Sequence, residues 1–286
     1  MIRCYSFVFC LLLLLDASEV GAAISTESTV TGHINPGVAC SYGSAVVSNP
    51  GFNVNIYSYP NLDTIIWSTF SPSGFNTAFL ESGYQQFGLI GEVTGVTSPQ
   101  FTINSVTAVE PGQSLYGVPM SLNSFSLELD GFFYAEETGL YTFELDSIDD
   151  AVLVWFGDGL SCCDPTGGQD AEPILGASWH DNTNANGAAT AYVYMDSGSY
   201  YPLRLTFTNW NSNSSLEFHV VTPSGTSITD FDQTVFQFVN FAGECYSSTV
   251  TLPYSTITIT SGSVSTTYAV QTTTTNSQQH TVTTTD

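Results

Sequence analysis

The stretch FSLELDGFFYAEETGLYTFELDSIDDAVLVWF, residues 125–156, contains three of the short segments from which the fold of this chain can be inferred. Its runs FSLELDGFFYA, LYTFELD and AVLVWF are rich in aromatic and aliphatic residues, and polar or Gly-containing turns separate them. The same pattern continues from Ala45 to Phe241, and no segment there keeps a helical period over three turns. We therefore predict an all-β fold, an antiparallel β-sandwich of ten or more strands in one domain, with long surface loops that carry the site.

Two adjacent carboxylates, Asp149 and Asp150, lie between the second and third of these predicted strands. Neighbouring side chains on an ordinary trans strand point to opposite faces, so the two acids could not then bind one ion. A cis peptide between them would turn both carboxylates to the same side, and a bound divalent cation would be a reason to hold them there. The alternative interpretation is a solvated acidic turn between two strands.

The charge of the chain restricts its partners. It has 26 Asp and Glu against 2 Lys and Arg, a formal net charge of −24, and the two cations are Arg3 and Arg204. Because the chain has almost no cationic side chains to neutralise phosphates, nucleic acids are excluded and anionic membranes are disfavoured as partners. This composition fits a protein outside the cell whose partners are cations or neutral glycans. Arg204 either pairs with a carboxylate beneath the site or lies on the surface of its strand.

The two ends of the chain differ from the predicted domain at residues 24–246. Residues 1–23 combine Arg3, an apolar stretch too short to span a bilayer and small residues at the end, which indicates a secretory signal peptide. Residues 247–286 are mostly Ser, Thr and Val and cannot bury enough surface to fold alone. We predict that they form an extended, O-glycosylated stalk, the start of a longer region, without an apolar anchor signal.

Four cysteines remain after removal of the signal peptide: Cys40, Cys162, Cys163 and Cys245. An even number in a secreted chain predicts two disulfides. A bond between the neighbours Cys162 and Cys163 would close a strained ring. The two remaining pairings both connect this central pair to Cys40 and Cys245, near the ends of the domain, and each bond would stabilise the fold by about 2–5 kcal/mol.

An ordered set of motifs runs through the predicted domain. Gly131-Phe-Phe is followed by Glu-Thr-Gly-Leu-Tyr-Thr-Phe, by Asp149-Asp150, by Cys162-Cys163 and by YYPLRLTFTNWNSNSSLEFHVVTPSG at residues 200–225. In this order the motifs resemble the sugar-binding domain first described in anthrax protective antigen, and in particular the yeast flocculins, the epithelial adhesins and the GLEYA adhesins of the fungal cell wall. The resemblance spans Cys40–Cys245.

The resemblance implies a calcium site. In this family, paired aspartates joined by a cis peptide bind Ca²⁺, which implies Asp149 and Asp150 here. An Asn at the end of a later strand completes the side-chain ligands and matches Asn209. Two carbonyl groups of the following loop also bind the ion, which implies Asn211 and Asn213. Because Ca²⁺ takes 6–8 oxygen ligands, two sugar hydroxyls would complete the shell.

The loop at residues 210–213 would then form one wall of a sugar site that also includes Asp149, Asp150 and Asn209. Trp210 stands among Asn and Ser residues, so we predict that it stacks on a sugar face rather than packs in the core. Ser212 and Asn211 belong to the same wall.

A second polar loop supplies two further candidates for the sugar site. Trp179 is the second aromatic candidate, and a loop anchor that packs on the domain is its alternative role. His180 is a candidate for the rim. The sequon Asn213-Ser214-Ser215 falls within the predicted calcium loop, where a glycan would crowd the site unless the side chain points away.

These features together predict a secreted adhesin of the fungal cell wall, a calcium-dependent lectin that binds the non-reducing terminal hexose of glycans. The sugar class is left open among mannose, galactose, glucose and N-acetylglucosamine. Each monomeric domain would bind weakly, and many copies on a wall would compensate by avidity. The alternatives are a structural wall mannoprotein without a ligand and a glycosidase. A glycosidase needs carboxyls roughly 5–9.5 Å apart across a cleft, so we expect no enzyme.

Overall fold

The computed structural model describes the chain in segments. Its backbone covers residues 34–36, 38–41, 45–47, 49–59, 77–104, 112–157, 160, 173–178, 188–237, 239–241, 246–249, 257–261, 264–268, 272–276 and 280–284. Side chains are described for residues 49–59, 78–104, 112–157, 160, 173–178 and 188–237.

Strands make up nearly all of the regular structure in these ranges. In chain order they are β1 (Ile34–Pro36), β2 (Val38–Ser41), β3 (Ala45–Val47), β4 (Phe52–Ser58), β5 (Leu89–Val96), β6 (Phe101–Ile103), β7 (Ser114–Leu115), β8 (Val118–Pro119), β9 (Phe125–Tyr134), β10 (Gly139–Asp149), β11 (Ala151–Phe156), β12 (Leu175–Ser178), β13 (Ala189–Met195), β14 (Tyr200–Asn209), β15 (Ser214–Val221), β16 (Ser227–Ile228), β17 (Val235–Phe236), β18 (Val239–Phe241), β19 (Tyr246–Thr249), β20 (Ile257–Ser261), β21 (Val264–Tyr268), β22 (Thr272–Asn276) and β23 (His280–Thr284). The helices of the described segments are α1 (Thr77–Glu81) and a 3₁₀ helix (Gly83–Phe87). Each has five residues, far fewer than a helix that crosses a bilayer needs.

Two sheets carry the fold. The first has six strands in the order β1-β13-β10-β15-β16, and β6 pairs with β15. The second has nine strands, with the path β12-β11-β14-β9-β4-β5, while β17, β2 and β19 pair outside it. Apart from the parallel pair of β1 with β13, the ladders of both sheets are antiparallel. The last strand of the second sheet, β19, ends at Thr249, a little beyond the predicted end of the domain.

An aromatic core fills the space between the two sheets. Phe143 of β10 lies 4.7 Å, between ring centroids, from Phe156 of β11, and 6.0 Å from Phe133 of β9. Phe218 of β15 stacks on Phe231 at 5.6 Å. Rings from both sheets thus interlock in one core, which confirms the predicted antiparallel β-sandwich.

A second, smaller core lies on the other face of the nine-stranded sheet. Here α1 and the 3₁₀ helix cover the side chains of β11, and Phe79, Leu80 and Tyr84 pack against Leu153 and Trp155. This layer explains why β9 and β11 are buried on both faces. Of the two roles predicted for Arg204, the surface position is wrong, because its side chain is only 3% exposed under this layer.

The region at 247–286, predicted as a stalk, contains two separate two-stranded ladders, β20 with β21 and β22 with β23. Its role as a stalk stays a prediction.

Candidate functional site

The paired acids lie where the chain passes from one sheet to the other. Asp149 ends β10 of the six-stranded sheet, and β11 of the nine-stranded sheet begins one residue after Asp150. The peptide bond between Asp149 and Asp150 is cis. Asp149 is half-buried, and Asp150 is only 4% exposed. The acids therefore lie at one end of the sandwich, where both sheets meet.

Asp150 is held in an environment that is unfavourable for its negative charge. Burial is the largest cause that raises the pKa of its carboxyl, and the neighbouring charge and hydrogen bond of Asp149 raise it further. The backbone N–H of Trp210 donates a hydrogen bond to Oδ2 of Asp150, which acts in the opposite direction. A nearby cation would relieve this energetic cost. The only Arg in the predicted domain, Arg204, contacts Trp155 and the Glu81 carbonyl instead.

The loop between β14 and β15 lies directly over the acid pair. Asn209, the fully buried last residue of β14, donates from Nδ2 to the carbonyl oxygens of Leu122 at 3.0 Å and Asn123 at 3.2 Å. These two acceptors fix the orientation of its amide, so Oδ1 faces the loop. There it accepts a hydrogen bond from the backbone N–H of Asn211 at 3.1 Å.

The same loop is also tied to the turn before β9. The backbone N–H of Ser212 donates to Oδ1 of Asn123 at 3.3 Å, and Ser212 adopts the left-handed conformation with φ 68°. Sequence reasoning missed Asn123. Its polar turn, SLNS at residues 121–124, gave a signal only for a turn, because the contact depends on a β14–β9 register that places Asn209 opposite Phe125.

The donor set at this end of the sandwich fits a hard cation. It contains the carboxylate oxygens of Asp149 and Asp150 and Oδ1 of Asn209, and the exposed residues Asn211 and Asn213 belong to the adjoining loop. Oxygen-only ligands favour Ca²⁺ or Mg²⁺ over transition metals. Burial and the neighbouring Asp149, which raise the pKa of Asp150, also make a positive charge favourable here.

A second group with metal-binding side chains lies on the outer face of the six-stranded sheet. His219 Nε2 is 2.5 Å from Oε2 of Glu144, and its Nδ1 is 3.3 Å from Oδ2 of Asp146. Glu144 and His219 are opposite each other in the ladder, and the register shifts between Leu145 and Ser147. Both ring nitrogens of His219 thus face carboxylate oxygens of the chain itself. Sequence reasoning missed this group, because the pairing of β10 with β15 is not visible in the sequence.

The structure places some of the remaining predicted residues and does not describe others. Trp210 is half-buried and packs against the second core, so part of its indole anchors the loop. Its contact with a sugar stays a prediction. The remaining site predictions concern Trp179, His180, Cys162, Cys163 and Cys245, which lie outside the described residues, and Cys40, whose side chain is not described.

The arrangement of the acids does not suit a glycosidase. Asp149 and Asp150 are neighbours in the chain, joined by one cis peptide bond. Glycosidase pairs stand roughly 5–9.5 Å apart on opposite sides of the scissile bond, and two adjacent residues on one turn do not lie on opposite sides of a sugar.

The fold and the site define a class of protein, the two-sheet β-sandwich with an acid pair at the sheet junction under an Asn-rich loop. The GLEYA domain model matches residues 125–222, which include β9, β10, β11, β14 and β15 and therefore both acids and the loop. The chain belongs to the family of fungal flocculins and adhesins with this domain.

The relatives in Saccharomyces cerevisiae include flocculation proteins. Flocculation protein FLO9 is 28% identical over 232 residues, which cover 66% of this chain and 17% of FLO9. Flocculation protein FLO1 is 26% identical over 230 residues, which cover 66% of this chain and 14% of FLO1. The putative uncharacterized protein YAR062W is 30% identical over 156 residues, which cover 51% of this chain and 71% of that protein. The chain thus spans less than a fifth of the length of the two flocculation proteins.

Solved structures with a similar fold come from Candida glabrata. The A domain of Epithelial Adhesin 6, in complex with Galb1-3GlcNAc, has a TM-score of 0.60 and 23% identity, and covers 76% of this chain and 99% of its own. The A domain of Epithelial Adhesin 9, in complex with the same disaccharide, has a TM-score of 0.59 and 24% identity, and covers 74% of this chain and 99% of its own. At these identities the similarity concerns the fold.

Proposed function

We propose that this protein is a cell-surface adhesin, a lectin that binds the terminal hexose of glycans through a Ca²⁺ ion at Asp149 and Asp150. The acid pair beneath the loop at residues 210–213, in which Asp150 is buried, is the observation that carries this proposal. The family membership supports a role in adhesion. A glycan as the ligand is supported by the similar A domains of Candida glabrata, whose structures were solved in complex with a disaccharide.

The oxygens of Asp149, Asp150 and Asn209 and the carbonyl groups of Asn211 and Asn213 would hold the ion. When bound, Ca²⁺ supplies a positive charge with coordination positions that neighbouring sugar hydroxyls can fill. The backbone N–H of Trp210 fixes the carboxylate of Asp150, and Asn123 fixes the loop through Ser212. These contacts set the position of the donors before a ligand arrives, which reduces the ordering cost of binding.

Selectivity for one sugar would come from the surroundings of the ion. Trp210, Ser212 and Asn211 would line one wall, and Trp179 and His180 would approach from the second loop. Few contacts are available to a single hexose, so we expect a dissociation constant in the range of about 1 µM to 1 mM. Many copies on a cell surface would then produce adhesion by avidity. The protein would be secreted to the cell wall and would have no enzymatic activity.

Calorimetry and a glycan array, each with and without a chelator, test this function on the full chain. Asp150→Asn removes one carboxylate of the pair, and Asp146→Asn makes the same change on β10, outside the site. We expect wild type and the Asp146→Asn variant to bind both Ca²⁺ and a terminal hexose, and the Asp150→Asn variant to bind neither. Glycan binding that survives complete removal of calcium would overturn the mechanism.

A further inference from the structure

The sequence contains a single Asn-x-Ser/Thr sequon, Asn213-Ser214-Ser215. Asn213 is exposed and directly precedes β15, whereas Ser214 and Ser215 are only 1% and 8% exposed within the strand. The acceptor residue of the sequon therefore lies at the surface, where a glycan has room to leave the protein.

The position of Asn213 is close to the acid pair. Ser215 is the ladder partner of Asp149, and antiparallel partners have Cα atoms about 4.5–5.5 Å apart. Asn213 is two residues from Ser215, so the Cα atoms of Asn213 and Asp149 are at most about 13 Å apart. A branched N-linked oligosaccharide is much larger than the single hexose that the site would bind, so it can cover the same space.

The loop has little freedom to carry such a glycan away. The backbone N–H of Trp210 is bound to Asp150, and that of Ser212 is bound to Asn123. On the other side, the hydroxyl of Ser215 donates to the carbonyl oxygen of Ser147 at 3.2 Å. Asn213 is thus held between fixed points on both sides, beside the site.

We infer that Asn213 carries an N-linked glycan that masks the carbohydrate site, so that the occupancy and length of this glycan regulate how much of the protein can bind external glycans. This inference rests on the proposed function. The apparent dissociation constant of a masked site equals the intrinsic constant divided by the fraction of time that the site is open. If the attached glycan covers the site for about nine tenths of the time, binding is weakened about tenfold.

The test uses the full chain secreted by a eukaryotic host that attaches N-glycans. Peptide mapping first measures the occupancy of Asn213. An endoglycosidase that leaves one N-acetylglucosamine on the Asn then trims the glycan, and binding of Ca²⁺ and of arrayed terminal hexoses is measured before and after. We expect trimming to strengthen glycan binding about tenfold and to leave calcium affinity unchanged, because only the space in front of the ion changes.

Two substitutions at Ser215 provide a matched pair of variants that leaves Asn213 itself intact. Ser215→Ala destroys the sequon and also removes the hydrogen bond to the Ser147 carbonyl, whereas Ser215→Thr keeps the sequon and a hydroxyl, so the trimmed Thr variant controls for the lost hydrogen bond. We expect the Ala variant to bind glycans like the trimmed protein and the Thr variant like the untrimmed one.

Three outcomes would overturn the inference. An unoccupied Asn213 in the secreted protein would do so, as would equal glycan binding by trimmed and untrimmed forms while calcium and glycan binding persist. In both of these cases the proposed function survives. If no form binds calcium or glycan, the proposed function fails, and the masking role fails with it.

Discussion

Buried acids in two regions of this sandwich have opposite surroundings. Glu128 and Asp130, on β9 beneath the helical layer, are 2% and 4% exposed, and Asp150 at the sheet junction is 4% exposed. Around Glu128 the chain supplies donors from Tyr84, from Asn55 at 3.3 Å and from Gln85 at 3.2 Å.

The chain also supplies a cation in the first region. Arg204 lies opposite Asp130 in the ladder, and its Cζ is 4.6 Å from the ring centroid of Trp155. The charges of Arg204 and Glu128 act on the same buried Tyr84 and shift its pKa in opposite directions. At the sheet junction, Asp150 has a second acid, Asp149, as its neighbour. The first region therefore contains a cation of the chain itself, whereas the proposed function assigns a cation from solution to the second.

The largest effect is expected when Arg204, the cation of the first region, is removed. Arg204→Met removes the hydrogen bond to the Glu81 carbonyl and the cation over the Trp155 ring, in the layer that buries Glu128 and Asp130, and we expect a loss of about 3–5 kcal/mol in the free energy of unfolding. Urea denaturation in calcium buffer measures it. Arg204→Lys, which keeps the charge, should lose less. An unchanged urea midpoint for the Met variant would show that Arg204 does not stabilise this layer.

Removal of an acid at the junction should affect the response to calcium instead. At a free calcium concentration of 100 times the dissociation constant, wild type should gain about 2.7 kcal/mol of stability. Asp150→Asn should gain nothing, because it lacks a ligand of the ion. Thermal unfolding with and without calcium measures both, and Asp146→Asn is the control that should respond like wild type. An equal response of all three proteins would place the ion elsewhere.

The pH dependence of the metal-free protein distinguishes the two regions further. The folded-state pKa of Asp150 is raised, so the folded state holds a proton that the unfolded state releases. Stability in chelator should therefore fall as the pH rises from the ordinary range of an unfolded carboxyl through the raised value, by at most about 1.4 kcal/mol per pH unit. Asp150→Asn should lack this decrease. Identical pH profiles of the two proteins in urea denaturation would contradict the raised pKa.

Substitution of one Asn in each region should have smaller effects. Asn123→Ala removes the acceptor for Ser212 at the junction, and we expect calcium affinity to fall by about 1 kcal/mol, roughly fivefold. Asn55→Ala removes a donor to Glu128 and should lower stability by a similar amount with no change in calcium affinity. Calorimetry and denaturation of both variants test the separation. It fails if Asn55→Ala weakens calcium binding as much as Asn123→Ala does.

The smallest effect is expected at the group of Glu144, Asp146 and His219. His219→Gln removes an ion pair that is partly exposed, so stability should fall by less than about 1 kcal/mol. Calcium affinity should not change, because this group lies outside the junction. A large loss of calcium affinity, measured by calorimetry, would identify His219 and its neighbours as part of the calcium site.

The sequence predicted those features that depend on residues close together in the chain. The strand pattern predicts the all-β sandwich, and Asp149-Asp150 falls between two strands as expected. Contacts that depend on how strands pair, and in which register, could not be predicted from the sequence. Asn123 meets Ser212, Glu144 meets His219 and Arg204 meets Trp155 only after strands from distant parts of the sequence are paired. Five-residue helices such as α1 are also too short for a periodic signal.

The position of the ion itself tests the central claim most directly. A crystal of the full chain grown with calcium and a terminal hexose would give an anomalous difference map. We expect one calcium peak about 2.3–2.6 Å from oxygens of Asp149, Asp150 and Asn209, with two sugar hydroxyls beside it. A sugar bound at the junction without a peak, or a calcium peak only at Glu144, Asp146 and His219, would contradict the claim.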